Sequence, residues 1–383
     1  MIQRIAFIDT KINLDYINQF ISKKQNISGV YIIKNDMVIQ SRDKTVRDIT
    51  HATMCAKMFI DNCTEYCDIS FVQILEDGNR KANISHLLIS LEWCLRNSIN
   101  IVNLSIGTTS LTDVPPLYKI VEKLTRMGVV VVCATSNRKK MTFPACFKEV
   151  IGVRSLRVKS GCRGYIYNGN CLDGIDISYY LSDEIIKYRG KYYTLPSSNS
   201  LVAPIITAKV CSLLNKGTSS MHDIEFTLKK ASIKPKYDWY KNFYREYFKA
   251  KVTVPIIAIL NNIDTDSTII LLSEFEKNGY IGICLSDSFN TDIEKKIINL
   301  LDFNSYRLVQ KIRFYSHYCN ADFIILHVNN KRTLSKLKFI DFDVIIDKFE
   351  HKRIIGRKGI KYINTDKYEN IEELFLELYP FLL

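Results

Sequence analysis

Four polar residues, far apart along the chain, have the types needed for a hydrolytic site. Asp9 follows the apolar segment IAFI, and His51 begins HATMCAKMF. Asn137 ends VVVVCATSN, and Ser200 begins SLVAPIITA. A histidine can accept the proton of a serine nucleophile while a carboxylate orients the ring, and an asparagine amide can stabilise the oxyanion that forms. The four residues therefore indicate acyl transfer at Ser200.

Each of these residues also has an ordinary structural explanation. An aspartate after an apolar strand commonly caps a turn, and a histidine before an apolar helix is commonly structural. Ser200 lies where a helix N-cap is expected. Only the combination of all four in this order favours a site over these alternatives.

Six segments of the chain follow the motif order of one enzyme family. They are IAFIDT, HATMCA, INIVNLSIG, VVVVCATSN, FPACFKEVIGV and SNSLVAPIITA. Through them residues 1–235 resemble a subtilisin-like serine protease, or subtilase, in which the chain order is Asp, His, Ser. The resemblance implies that Asp9, His51 and Ser200 form a catalytic triad. It also implies an oxyanion hole made by the Asn137 amide and the Ser200 backbone N–H, in a serine endopeptidase without a cofactor.

The same resemblance implies two substrate-binding segments. One would pair with an extended substrate as an added antiparallel strand, and the other would form a wall of the primary specificity pocket. The first consists of Ser105, Ile106 and Gly107, and the second of Ala134, Thr135 and Ser136. The alternative is that both segments are only buried parallel strand.

Several positions depart from the glycine-rich pattern of the family. Lys11 stands two residues after the acid, Ala52 follows the histidine, and Ser136 precedes the asparagine. Ser198 and Asn199 replace the Gly-Thr pair before the nucleophile. Because glycine permits backbone angles and close approaches that other residues do not, these changes predict a narrower or displaced substrate cleft. A catalytically inactive, peptide-binding scaffold is the alternative.

Apolar strand-length segments alternate with helix-length segments in residues 1–235. Strands are predicted near 3–9, 28–33, 69–74, 100–105 and 129–134, and helices near 51–63, 83–96, 116–127, 200–214 and 221–231. This alternation predicts an α/β fold with a doubly wound parallel sheet and a site at the carboxyl ends of its strands.

The rest of the chain predicts a second, smaller domain. Residues 236–251 are interpreted as a basic and aromatic linker, and residues 252–383 as a degenerate Rossmann-like or P-loop-like NTPase domain. Strands are predicted at 252–260, 280–285, 322–328 and 342–346, and helices near 267–278, 291–301 and 369–379. A phosphate loop needs glycines and a lysine. The matching positions hold Asn261, Asp266, Ser267 and Thr268. We therefore expect no nucleotide binding.

Composition restricts the setting of the protein. The 383 residues, 47% of them hydrophobic, suffice for two packed domains. Because the predicted catalytic strand begins within a few residues of Met1, no N-terminal stretch combines basic residues, an apolar core and a small-residue cleavage site. No apolar run reaches membrane-spanning length. Eleven scattered cysteines fit a reducing compartment better than a disulfide framework. We therefore expect a cytoplasmic protein without a membrane partner.

Three cysteines have positions in the sequence that suggest a metal ligand or a neighbour of the triad. Cys63 and Cys67 have the spacing of half a zinc site, but no second Cys or His pair completes it, so no metal is expected. Cys55 lies one helical turn after His51 and is expected to pack beneath the triad.

The net charge of +13 does not require a nucleic-acid partner, because a diffuse excess of lysine attracts an acidic peptide equally well. The partner expected is a peptide or protein substrate. Since an unguarded protease inside a cell would be harmful, we favour a narrow substrate: the leader of a ribosomally made precursor peptide, as in bacteriocin maturation. A general intracellular peptidase is the alternative within enzymes. No oligomeric state is predicted.

Overall fold

The computed structural model describes most of the chain as two compact units. The described residues are 2–41, 46, 48–75, 82–157, 164–169, 171–234, 243–260, 264–302, 306–334, 336, 340–347, 360–364, 368 and 370–381. The N-terminal unit comprises residues 1–109 and 116–236, and the C-terminal unit comprises residues 110–115 and 237–383.

The N-terminal unit is built on one large sheet. Its strands are β1 (Gln3–Asp9), β2 (Gln25–Lys34), β3 (Met37–Gln40), β4 (Cys67–Gln73), β5 (Ile101–Leu104), β6 (Val130–Ala134), β7 (Ile151–Arg157), β8 (Gly164–Tyr167) and β9 (Ile177–Leu181). Their order is β3-β2-β4-β1-β5-β6-β7-β9-β8. Every described pair is parallel except the two at the edges, β2 with β3 and β8 with β9. A separate hairpin is formed by β10 (Glu184–Tyr188) and β11 (Lys191–Leu195).

Helices accompany this sheet in alternation with its strands. They are α1 (Leu14–Ile17), α2 (His51–Asn62), α3 (Ile84–Arg96), α4 (Val114–Arg126), α5 (Asn199–Asn215) and α6 (Met221–Lys230). Side chains cap the starts of two of these helices. Thr50 accepts a hydrogen bond from the Thr53 N–H before α2, and Ser220 accepts one from the Asp223 N–H before α6. Strands β5 and β6 are buried along their whole length, as expected for central parallel strands covered on both faces.

The predicted doubly wound α/β fold is confirmed for this unit. Each predicted strand and helix is present, with ends displaced by a few residues. The strands β7 to β11, between residues 151 and 195, were not predicted. Several of them are short, and β10 and β11 are largely exposed, so they lack the long apolar runs that marked the central strands.

The C-terminal unit holds a second parallel sheet. Its strands are β12 (Ile256–Leu260), β13 (Gly282–Ser286), β14 (Ile297–Asn299), β15 (Phe323–Val328), β16 (Val344–Asp347) and β17 (Lys361–Ile363), in the order β14-β13-β15-β12-β16-β17. Its helices are α7 (Arg245–Lys249), α8 (Thr265–Lys277), α9 (Leu308–Tyr318), α10 (Lys331–Leu334) and α11 (Ile371–Leu378). These strands and helices form a smaller α/β unit, as expected, while its assignment to the P-loop class is not supported.

One predicted helix of this unit, at residues 291–301, was wrong. Asp292 and Ile297 exchange two backbone hydrogen bonds of 2.9 and 2.8 Å, and Lys296 between them has a φ of 61°. Such a tight reversal is incompatible with a continuous helix. The apolar residues after it form β14, which pairs with β13. Helix α9, which was not predicted, lies further along the chain.

The predicted linker falls partly outside the described residues, since nothing is described between 235 and 242. From residue 243 onward the chain packs within the C-terminal unit. Tyr244 is fully buried, and its ring lies 5.0 Å from that of Phe314 and 6.3 Å from that of Tyr306. These aromatic residues are therefore part of a folded core. Within the described residues, no helix combines the length and apolar character needed to cross a membrane.

Candidate active site

Three of the predicted residues form a continuous chain of hydrogen bonds. The Asp9 carboxylate is buried, and its two oxygens lie 2.8 and 2.9 Å from His51 Nδ1. On the other side of the ring, His51 Nε2 lies 2.8 Å from Ser200 Oγ. A ring that donates from Nδ1 to the carboxylate presents Nε2 as the acceptor for the serine proton. The structure thus brings Asp9, His51 and Ser200 together.

The ends of three elements position this chain. Asp9 is the last residue of β1, His51 the first residue of α2, and Ser200 the second residue of α5. The Thr10 N–H donates to Asp9 Oδ1 at 2.6 Å, and Thr10 Oγ1 accepts from the Ala52 N–H at 2.9 Å. The turn after β1 is therefore bonded directly to the first turn of α2, which holds the acid against the base.

The backbone carbonyl of the nucleophile is anchored outside its own helix. Pro204 has no N–H with which to bond the carbonyl of Ser200, four residues earlier. That carbonyl instead accepts from Ser105 Oγ at 3.2 Å and from Cys55 Sγ at 3.7 Å. Cys55 therefore lies beneath the triad, as predicted, and connects α2 with α5.

A further hydroxyl lies beside the nucleophile. Ser198 Oγ is 3.0 Å from Ser200 Oγ, so the nucleophile has a second possible hydrogen-bond partner besides His51. In the sequence, Ser198 stood out only because it replaces a glycine of the family pattern. Its proximity could be foreseen only from the geometry of the turn that enters α5.

The electrostatics of the site centre on His51. A Cys55 thiolate, if one formed, and the adjacent Asp9 carboxylate both favour the protonated ring and raise the pKa of His51, whereas burial lowers it. Desolvation, however, raises the pKa of the fully buried Cys55 thiol. The thiol is therefore neutral near pH 7, and the charge that acts on His51 is that of Asp9.

Asn137 lies in the turn after β6, close to the start of α5. Its Oδ1 accepts a hydrogen bond from the Asn199 N–H at 3.1 Å. This bond uses the carbonyl end of the Asn137 amide and not its Nδ2 donor. At the start of a helix the first N–H groups have no intrahelical acceptor, and Ser200 is in that first turn. The structure therefore bonds Asn137 to the residue that precedes Ser200.

Asn199 is a residue whose importance the sequence did not reveal. Its side-chain oxygen accepts from the Ser155 N–H at 2.9 Å. Its Nδ2 donates to the carbonyls of Thr135 and Ser136, each at 3.1 Å. One buried amide thus joins β7, the segment after β6 and the start of α5. In the sequence it stood out only as a departure from the family pattern.

The first predicted substrate segment follows β5, and the second begins at Ala134, the last residue of the neighbouring strand β6. Ser105 is bonded to the carbonyl of Ser200, and Ile106 O is 3.7 Å from Cys133 Sγ. Ala134 and Thr135 are buried, and Ser136 is half-buried. The carbonyls of Thr135 and Ser136 accept from Asn199, and the two N–H groups donate to Val153 O and Thr142 Oγ1, so this second segment can offer a substrate little beyond its surface.

Gly107 is the exposed end of the first segment, and its lack of a side chain is required. A Cβ on Gly107 would lie 2.6 Å from the carbonyl oxygen of Phe143 and 2.8 Å from Thr142 Cγ2. The following residue, Thr108, exchanges two backbone hydrogen bonds with Phe143, of 2.9 and 2.8 Å. The segment from 105 to 107 is therefore held against the loop that follows Asn137.

The glycine replacements noted in the sequence have partners in this structure. Ala52 is buried and donates to Thr10, while Ser136 N–H donates to Thr142 Oγ1 at 2.9 Å. Asn199 fills its position with the bonds described above. None of these replacements separates Asp9, His51 and Ser200.

Comparison with known proteins places these features in a family. The sequence model of the Subtilase family matches residues 3–237. The minor extracellular protease Epr of Bacillus subtilis is 29% identical over 148 residues, 38% of this chain and 22% of that protein. The major intracellular serine protease of the same organism is 29% identical over 94 residues, 23% of this chain and 29% of that protein. The chain thus spans less than a third of either curated relative.

Two solved structures resemble part of the chain. A lanthipeptide protease is 15% identical, with a TM-score of 0.47, over 61% of this chain and 81% of that one. A cold-adapted subtilisin-like serine proteinase is 17% identical, with a TM-score of 0.46, over 62% of this chain and 85% of that one.

A parallel α/β sheet carries Asp9, His51 and Ser200 at its strand and helix ends, in an arrangement of the kind that serine hydrolases use. More specifically, the family match covers more than half of the sequence, so the chain belongs to the subtilase family.

Proposed function

We propose that the protein is a subtilisin-like serine endopeptidase. The observation that carries this proposal is the Asp9–His51–Ser200 chain, in which both contacts of the imidazole ring are within 2.9 Å. A histidine with only a structural role would not need a carboxylate on one ring nitrogen and a serine hydroxyl on the other. His51 has both and remains partly exposed to solvent. The geometry argues against the inactive scaffold.

The proposed reaction proceeds through an acyl-enzyme. Ser200 Oγ attacks the peptide carbonyl carbon while His51 Nε2 takes the hydroxyl proton, and Asp9 stabilises the imidazolium. The Asn137 amide and the Ser200 N–H receive the oxyanion. His51 then gives the proton to the leaving amine as the peptide C–N bond breaks. Water then attacks the acyl-enzyme carbonyl while His51 Nε2 takes a proton from it. His51 returns that proton to Ser200 Oγ as the ester bond breaks.

A fluorophosphonate probe tests this mechanism without knowledge of the substrate. We expect one label per chain, located at Ser200 by peptide mapping. Ser200→Ala should abolish labelling, and His51→Ala should nearly abolish it because the hydroxyl loses its base. Ser212→Ala, on the same helix but far from the triad, is the matched control and should label normally. Labelling that persists in Ser200→Ala would refute the assignment.

For the substrate, we propose the leader of a precursor peptide, cleaved in the cytoplasm. Support comes from the cleft: the carbonyls of Thr135 and Ser136 are occupied, and Gly107 has no space for a side chain. A cleft with few available contacts favours a substrate that also binds elsewhere. Purified protein should cleave a cognate precursor peptide much faster than an unfolded general substrate such as casein. Equal rates would favour a general peptidase.

We also propose that the C-terminal domain predicted from the sequence binds no nucleotide and contributes to substrate selection. It is residues 252–383 in the predicted division 1–235, 236–251 and 252–383. Asn261 lies outside the described residues, but the start of α8 is visible. The Asp264 side chain accepts from the Ser267 N–H at 2.7 Å, and this bond lowers the pKa of Asp264. A carboxylate thus occupies the helix N-terminus where a phosphate would bind. Calorimetry with ATP and Mg²⁺ should show no heat of binding, and a saturable heat would refute this part of the proposal.

A further inference from the structure

Three buried cysteines converge at the end of the N-terminal unit's helices opposite the triad. They are Cys63, Cys67 and Cys211, and their sulfur atoms all lie within 4.8 Å of one another. None of the three side chains belongs to the catalytic chain, and each residue is at most 5% exposed. The sequence showed only the first two as half of a site, because local spacing cannot reveal a third ligand as distant in the sequence as Cys211.

Three different elements supply these thiols. Cys63 is the C-terminal cap of α2, Cys67 is the first residue of β4, and Cys211 lies near the end of α5. The backbone around them is fixed: Cys63 O accepts from Gln25 Nε2 at 2.6 Å, and the Cys67 N–H donates to Lys24 O at 3.0 Å. The group is therefore preformed and does not depend on a flexible loop.

Two of the three sulfur atoms have amide hydrogen-bond donors beside them. The Glu65 N–H donates to the Cys63 sulfur, and Asn215 Nδ2 lies 3.5 Å from Cys211 Sγ. Hydrogen bonds from amide donors to sulfur stabilise the charged form that binds metals and orient it. Glu65 also brings a carboxylate to this place, where its Oε1 accepts from Ser212 Oγ at 3.1 Å.

We propose that Cys63, Cys67 and Cys211 form a binding site for Zn²⁺ and supply three of its four ligands. A Zn–S bond of about 2.3 Å places the sulfurs of a tetrahedral site about 3.8 Å apart, so a small contraction of the observed group suffices. Binding would release the three thiol protons to solvent and leave the three thiolates on the ion. The site is independent of the proposed peptidase activity.

The consequence for the fold follows from where the ligands lie. Helix α2 carries His51 at its first residue and Cys63 at its cap, and α5 carries Ser200 in its first turn and Cys211 in its last turns. At about 1.5 Å per residue, the zinc site lies roughly 18 Å from the triad. A bound ion would fasten the far ends of the two helices that present the base and the nucleophile.

Cobalt substitution in the full chain tests the site directly. Reduced, metal-free protein titrated with Co²⁺ should bind one equivalent and develop thiolate-to-cobalt charge-transfer absorption, which Zn²⁺ should abolish by displacement. Cys211→Ser and Cys67→Ser should each weaken or remove this absorption. Cys94→Ser, which changes a buried cysteine of α3 in the same unit, is the matched control and should retain it.

A second measurement needs no variant and so remains informative if the variants misfold. Zn²⁺ should protect Cys63, Cys67 and Cys211 of the wild-type chain from alkylation, as located by peptide mass spectrometry. The proposal would be overturned by wild-type protein that has reduced thiols but gives no charge-transfer band. An unchanged band in folded Cys211→Ser, or alkylation of the three cysteines unaffected by Zn²⁺, would also overturn it.

Discussion

At the scale of single residues, the site is defined by what each polar group is bonded to. Asp9 is committed to His51 and to the Thr10 N–H, and the carbonyl of Asn137 is committed to Asn199. Given these bonds, we expect the atoms available to a substrate to be the Ser200 hydroxyl, the Nδ2 group of Asn137 and the Ser200 N–H. Two predictions concern these atoms.

The first prediction concerns Asn137. Asn137→Ala should lower kcat by about 10²–10³-fold, the usual loss for one oxyanion donor, with little change in KM because the interaction strengthens only in the transition state. Steady-state kinetics on a cleavable precursor peptide would measure both constants. Asn137→Asp, which keeps the acceptor for Asn199 but replaces the donor, is the matched control for folding and should be as inactive. An effect on KM alone would contradict the assigned role.

The second prediction concerns the pH dependence. His51 must be neutral to accept the serine proton, and the Asp9 carboxylate raises its pKa. Activity should therefore be lost as pH falls through the pKa of His51, and the acid limb of the kcat/KM profile should report that pKa. Asp9→Asn should lower both the rate and this apparent pKa. Cys55→Ala should leave the pKa of the profile in place, because its thiol is neutral; a downward shift would show instead that a thiolate acts on His51.

At the scale of secondary structure, the sequence predicted elements best where one type of pattern dominated. The run VVVVCA could only be a buried strand, and it became β6. The helix predicted at residues 291–301 was wrong. Its apolar residues have helical spacing, but the chain reverses at Lys296 and Ile297 pairs with Cys284 in a strand. Long-range pairing of this kind leaves no local signal.

The candidate site shows the same limit. Asp9, His51, Asn137 and Ser200 could be found because each stands at the end of a recognisable element. Asn199 could not, because its function lies in bonds to Thr135, Ser136 and Ser155, which are distant in sequence. A buried amide announces itself only when its partners are known.

The third prediction belongs to this scale and concerns the segment after β5. Gly107→Ala would place a Cβ 2.6 Å from the Phe143 carbonyl, so either the segment or the loop that holds Phe143 must move. We expect a raised KM for peptide substrates, since the substrate-pairing segment is displaced. Labelling by a small fluorophosphonate probe, which does not need that segment, should remain within a few-fold of wild type. Loss of both readouts in a folded variant would show that the segment supports the triad and not the substrate.

At the scale of the whole chain, two units with separate parallel sheets follow one another. The described aromatic residues Tyr244 and Phe314 pack inside the C-terminal unit, so that unit begins before Lys251. A truncation intended to remove it should therefore end near residue 234 and not at the end of the basic, aromatic segment.

The fourth prediction uses that boundary. A chain ending at Lys234, if circular dichroism shows it folded, should keep the fluorophosphonate-reactive Ser200, because the triad lies wholly in the N-terminal unit. It should process a cognate precursor peptide more slowly than the full chain, with the loss in KM. Cleavage of a short peptide around the same bond serves as the control and should be unaffected. Unchanged precursor processing would leave the C-terminal unit without the proposed function.

The packing of α2 against α5 has a consequence for the rate of the chemical step. His51 Nε2 and Ser200 Oγ belong to different helices, so their separation of 2.8 Å is set by how far one helix slides along the other. A displacement of about 1 Å would take the pair out of hydrogen-bond range. The carbonyl of Ser200 is the point at which this sliding is resisted, because Cys55 of α2 and Ser105 both hold it. Proline at position 204 is what leaves that carbonyl available. The backbone hydrogen bond that Pro204 cannot make therefore helps to fix the distance between Ser200 Oγ and His51 Nε2, over which the proton moves.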